Sequence, residues 1–114
     1  MHLAGGNYIC LQYTGNEVPK DVNFTMDVPK WDNSASSKED VNKVVKRSFE
    51  ELKKAVGGLT QAQLDEEVEF FNMKMSRRAV LINMLNYMHE HQGQLIAYSR
   101  MNGITPPWSK KDSN

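Results

Sequence analysis

Cysteine is almost missing from this chain. Cys10 stands alone among 114 residues, which excludes an intrachain disulfide and suits a reducing compartment. No stretch approaches the ~18–20 consecutive apolar residues of a membrane-spanning helix. The N-terminus has no basic region leading into an apolar core, because Asn7 and Gln12 interrupt it, and this argues against a secretory signal. An excess of either charge is missing too. Fourteen Lys and Arg balance fourteen Asp and Glu, so the clustered positive charge of a nucleic-acid footprint is not supplied by composition. Repeats and low-complexity tracts are also absent. These absences predict a cytoplasmic protein with neither a membrane nor a nucleic-acid partner. The length suits one domain with a modest core, placed over 1–108, with a flexible tail over 109–114.

What is present reads as helix. "MHLAGGNYICLQYT" predicts a helix over 1–14 with His2, Gly6, Ile9 and Tyr13 on one inward stripe, stopped by Gly15. Residues 15–36, with Pro19 and Pro29, form a long connection. Val18, Val22, Phe24, Met26, Val28 and Trp31 give it apolar anchors, and a packed crossover is favoured over a mobile lid. "SSKEDVNKVVKRSFEELKKAVGG" is the clearest helix. Ser36 or Ser37 caps it, Glu39 and Asp40 suit its positive end, and Gly57–Gly58 ends it. Val41, Val45, Phe49, Leu52 and Val56 are its expected stripe. Thr60 caps a short helix through Leu64, and "EVEFFNMKM" alternates in part, as an extended segment does. Glu66, Glu67 and Glu69 read as surface charges. Ser76 caps a last helix over about 77–102, stopped by Asn102–Gly103 and Pro106–Pro107.

That last helix decides how its histidines are read. His89 and His91 are two residues apart, which on a helix turns their side chains about 200° from one another. Val80, Met84, Tyr87, His91, Leu95 and Tyr98 share one stripe, with His91 inward and His89 outward. The two cannot chelate one ion from this helix. The position that shares a face with His91 is four residues earlier, and it holds Tyr87.

"HEHQGQLIAYSRMNGITPPW" resembles the C-terminal signature of the DinB/YfiT-like superfamily, through His91, Gly93, Gln94, Tyr98, Arg100, Gly103, Pro106 and Pro107. "MHLAGGNYICLQYTG" resembles the second helix of the same family, with His2 at the position of its metal-ligating histidine. The resemblance implies an all-α fold, an up-down-down-up four-helix bundle, here with about three long helices and a long crossover loop. It implies a divalent metal, nickel or zinc, held by three histidines. His2 and His91 match two of them, and Tyr87 occupies the place of the third. It also implies that the chain lacks the family's first helix, which would leave an apolar face for a second copy to cover, so a homo-oligomer, in the simplest case a dimer, is expected.

Two functions remain open. One is a metal-dependent hydrolase or thiol-dependent transferase with a weakened site. There the metal lowers the pKa of bound water or thiol, a small-molecule or thiol substrate enters, and Tyr87 donates a hydrogen bond to the bound group. The other is a non-catalytic helical binding or stress-associated protein whose metal site has degenerated. Arg100 reads as a helix C-terminal residue bonding its own carbonyls. Cys10 reads as a small buried hydrophobe.

Overall fold

In the computed structural model, residues 1–109 are described; apart from Ser109, the expected tail lies outside them. The order is α1 (His2–Tyr13), a 3-10 turn (Lys20–Val22), α2 (Val28–Asp32), α3 (Lys38–Gly57), α4 (Gln61–Asp65), β1 (Glu67–Phe70), β2 (Met73–Ser76), α5 (Arg77–Met101) and a 3-10 turn (Pro107–Ser109). Helix dominates, and no helix among the described residues is long and apolar enough to cross a membrane. Met1–Met84 form one compact unit and the residues from Leu85 on a second, with α5 running through the boundary.

Capping explains most boundaries. The Ser37 hydroxyl accepts from the Asp40 backbone at 3.1 Å and starts α3. Thr60 and Gln63 form a reciprocal capping box at α4. Ser76 accepts from the Ala79 backbone at 3.2 Å at the start of α5. Gly15 (φ +83°) and Gly103 (φ +71°) take the left-handed conformation just past α1 and α5. The all-α expectation needs a correction at β1 and β2. They pair as an antiparallel hairpin, Glu67 opposite Ser76 and Phe70 opposite Met73, around a turn in which Phe71 and Asn72 both have positive φ. Two left-handed residues in a two-residue loop match the twist of the strands, so the alternation in this segment is realised as a true hairpin.

The core of the first unit is built on α1 and α3. The Asn7 amide donates to the Ser48 hydroxyl at 2.9 Å. Further along, Leu11 and Thr14 share a cleft with Glu51, Ala55 and Gly58. Residue numbers advance together on both helices, so the pair is parallel. A parallel pair cannot be closed by a short turn, and residues 14–37 therefore cross back along its length. They are packed down as expected, but through fewer anchors. Trp31 is buried, and Val18, Val22 and Phe24 pack on Ala4, Tyr8 and Leu11. Met26 and Val28 are exposed. Arg47 of α3 adds a two-pronged ion pair to Asp21, at 2.6 and 3.1 Å, and this guanidinium holds the Asp21 carboxyl below its ordinary value.

Both expected stripes of this pair are rotated. On α1 the buried side chains include Ala4, Asn7, Tyr8 and Leu11, while His2 is exposed and Ile9 and Tyr13 are half-buried. The helix is flanked by α3 on one side and by the crossover on another, and its inward arc is set by both. On α3 the buried positions are Ser48 and Leu52, with Val44, Val45 and Ala55 beside them, while Phe49 and Val56 are exposed. Ser48 turns inward because it accepts from the buried Asn7 and donates to the Val45 carbonyl. On α5 the stripe holds for Val80 and Met84, which are buried, and for Tyr87 and His91, which are half-buried. It ends in exposure at Leu95 and Tyr98.

The tightest contact in the unit is between Trp31 and Gly5. A Cβ on Gly5 would lie 2.8 Å from Trp31 Nε1 and 2.9 Å from its Cδ1, and the indole is fixed by its hydrogen bond to the Met1 carbonyl at 3.0 Å. Gly5→Ala should therefore destabilise the fold by about 1–3 kcal/mol, the usual cost of overpacking. Gly93→Ala is the control. Nothing lies within 4 Å of a Cβ built there, so relief of glycine's helix penalty should stabilise by about 0.5–1 kcal/mol. Urea melts of both variants measure the difference. A Gly5→Ala protein within about 0.5 kcal/mol of wild type, the range of an ordinary surface change, would show that Trp31 is not seated there.

Candidate functional site

Within α5, Gln94, Glu90 and Tyr87 gather around His91. Its Nδ1 lies 3.0 Å from Oε1 of Gln94, one turn on. The Gln94 amide is oriented by Glu90, whose carboxylate accepts from its Nε2 at 3.4 Å. Since a carboxylate only accepts, the amide nitrogen turns to Glu90 and the amide oxygen to His91. That oxygen can only accept, so Nδ1 of a neutral His91 carries the proton and Nε2 carries the lone pair. The Tyr87 ring meets the imidazole edge-on, with centroids 4.3 Å apart and planes at 74°. His89 is exposed, as the helical geometry required.

His2 sits at the first turn of α1, its side chain about half exposed (51%). Its Nδ1 lies 3.2 Å from Oδ2 of Asp32, at the end of α2. Among the described residues no group of three or more His, Cys, Asp and Glu side chains comes together as a metal cage. The donor chemistry fits two imidazole ligands, each held through Nδ1 by an oxygen acceptor. That is the arrangement in which a ligating histidine presents its other nitrogen. It does not fit a third nitrogen ligand from α5, because Tyr87 stands there. A phenol hydroxyl brings a hydrogen-bond donor instead of a nitrogen lone pair.

Sequence reasoning did not single out Asp32, and it assigned no role to Gln94 within the signature. The signal for Asp32 was present. Asp27 followed by Val-Pro is a helix start, and the Asp27 side chain does accept from the Lys30 backbone at 3.2 Å. That short helix delivers Trp31 and Asp32 to the start of α1. Arg77 was also missed. It is mostly buried, donates to the backbone carbonyls of Tyr13 and Gln63 at 2.7 Å each, and pairs with Glu66 at 2.9 Å. It thereby satisfies the open end of α1 and ties α4 to the start of α5. Glu66, Glu67 and Glu69 are exposed, as expected of surface charges, and Glu67 pairs with Lys74.

Among the described residues, two of the open clefts lie in the first unit. One, of about 420 Å³, is lined by Leu11, Thr14, Glu17, Glu51, Lys54 and Leu59 among others. The other, of about 590 Å³, is formed mainly by residues 15–24 of the crossover. Neither is lined by His2. Compared with models of known protein families, with curated proteins and with solved structures, the chain finds no match.

Cys10 is buried in the first unit, and burial pushes its thiol up to about 11. It carries no nucleophile's activation, which requires a depressed value. Native protein at about pH 8 should react slowly with a disulfide reagent such as DTNB and denatured protein fully, because only the unfolded thiol then has an ordinary pKa of about 8.5. The linkage has a definite sign. A thiol raised on folding contributes stability below the unfolded value, and that contribution is lost as pH rises toward about 11. Denaturant midpoints should therefore fall on that alkaline side, and fall less in Cys10→Ala. Rapid stoichiometric labelling of the native protein would contradict the buried placement.

Proposed function

We propose that this chain is a DinB/YfiT-like helical protein, of the family's four-helix bundle type, that binds a divalent ion, nickel or zinc, with His2 and His91 as the residues that match the family's histidine ligands. The observation that supports this reading is the way His91 is held. Gln94, the glutamine of the signature, accepts a hydrogen bond from its Nδ1–H, which makes Nε2 the ligating nitrogen. His2 is held by the same nitrogen on a carboxylate. When bound, the metal would lower the pKa of a water or a thiol and polarise a substrate oxygen. Around it the chain supplies the rest. Gln94 and Glu90 fix the tautomer of His91. Tyr87 walls one edge of the imidazole and brings a phenolic donor for an anionic group. A hydrolase or a thiol-dependent transferase acting on a small molecule in the cytoplasm is the enzyme this describes.

A second reading has its own observation. Tyr87 packs its ring edge-on against His91 where the signature has a nitrogen ligand. That favours a non-catalytic helical binding protein with a degenerate site. Metal analysis of protein purified without chelator or His-tag separates the two. The first reading expects stoichiometric nickel or zinc, lost in His2→Ala and in His91→Ala, and bound about tenfold or more tightly in Tyr87→His, a gain of about 1.4 kcal/mol. A wild type without metal that gains it in Tyr87→His supports the second.

The partner we propose is a second copy of the chain. From Ala79 to Ser99, α5 carries one formal charge, Glu90. Leu95 (56%), Tyr98 (61%) and Met101 (82%) are exposed on it. A nearly uncharged apolar helix face does not repel its own copy, and burying each large side chain contributes about 1.5–3 kcal/mol. Sedimentation equilibrium should show a dimer that Leu95→Glu with Tyr98→Glu converts to monomer. A wild type that stays monomeric at every concentration removes the proposal.

A further inference from the structure

Five residues of the crossover segment do more than close a loop. In α2, Asp27 caps the first turn, Pro29 stiffens it, and the backbone N–H of Trp31 returns to the Asp27 carbonyl at 2.8 Å. The Trp31 indole is buried against Gly5, donates to the Met1 carbonyl, and meets the rings of Tyr8 and Phe24 edge-on. Asp32 follows Trp31 directly, so the best-anchored side chain of the crossover fixes where this carboxylate stands. It stands at His2, thirty positions away in sequence. Its second oxygen, Oδ1, is buried without a hydrogen-bond partner. A half-satisfied carboxylate is costly to keep, and such costs call for a reason.

We infer that Asp32 is the positioning residue of His2: its carboxylate selects the Nδ1–H tautomer and so presents Nε2 as the ligating nitrogen. This rests on the reading of His2 as a metal ligand. An ionised carboxylate accepts and does not donate, so a neutral imidazole bound to it through Nδ1 has its proton there. A histidine side chain in water prefers the opposite tautomer, with the proton on Nε2, where it would block coordination. Asp32 reverses that preference. The same task falls to Gln94 at His91, so the two histidines are prepared alike, one by a neighbour on its own helix and one by the crossover. Trp31 acts one step behind, by holding α2 in place.

Two-bond ¹⁵N–¹H couplings in metal-free, labelled protein read the tautomer directly, at a pH where the imidazole is neutral. Wild-type His2 should be Nδ1–H. Asp32→Ala should move it to Nε2–H with the circular dichroism and the His91 tautomer unchanged. Asp32→Asn, which keeps an oxygen acceptor, should restore Nδ1–H. Ni²⁺ titration should then show affinity about 10–100-fold weaker in Asp32→Ala and close to wild type in Asp32→Asn. The inference is overturned by a wild-type His2 with its proton on Nε2, by an Asp32→Ala protein with the tautomer unchanged, or by a changed tautomer that leaves Ni²⁺ affinity as it was. A wild type that takes up no Ni²⁺ but shows the expected tautomers overturns only the metal reading and leaves Asp32's hold on His2 standing.

Discussion

The seating of Trp31 on Gly5 is the contact on which the first unit depends. Its necessity follows from topology. Helices α1 and α3 run parallel, so the chain must travel the full length of the pair between them, and such a length of backbone is unstable unless it is pinned. One large aromatic supplies most of the pinning. Trp31 closes against a helix position that has no Cβ, and its N–H finds the carbonyl of Met1. Phe24 and Tyr8 complete the cluster. The Arg47–Asp21 pair fastens the earlier part of the same segment from the α3 side, but it is exposed, and exposed pairs contribute little. The aromatic cluster, not the ion pair, carries the crossover.

The parallel pair also contains the most expensive chemistry in the unit. Asn7 and Ser48 are both fully buried, and their hydrogen bond crosses the α1–α3 interface. The Asn7 Oδ1 and the Tyr8 hydroxyl are buried without hydrogen-bond partners, and burial raises the Tyr8 phenol above its ordinary value. Apolar side chains in these places would give a more stable contact but a less specific one. A polar pair at one level fixes how the helices slide and rotate on each other. It therefore also fixes where the ends of both helices fall, and with them the position at which Arg77 can reach the Tyr13 carbonyl.

Local signals were legible in the sequence, and directions in space were not. Ser37, Thr60, Ser76, Gly15 and Gly103 mark helix ends through backbone chemistry confined to a few residues, and each boundary they announce is found. The facing of the helices depends on what lies beside them. The stripe expected on α3 holds at Val41, Val45 and Leu52 but not at Phe49 and Val56, and Ser48 joins the buried arc because its hydrogen bond to Asn7 outranks apolarity at that position. On α1, Gly5 lies under an indole from another element. The site divides the same way. His89 out and His91 in follow from helical geometry alone. Asp32 at His2 does not, since no pattern in the chain links residues thirty apart.

Tyr87 changes the chemistry open to His91 more than its position suggests. An imidazole at that place would offer a lone pair at neutral pH, and a phenol offers a proton. A phenol favours whichever bound group can accept a hydrogen bond. A thiolate or a carboxylate can do so, and a neutral amine cannot in the same sense. On the proposed reading, then, the substitution trades strength of metal binding for selectivity toward anionic ligands. The orientation of His91 by Gln94 keeps its meaning in either case. An imidazole whose Nδ1 donates to an amide oxygen carries its lone pair on Nε2.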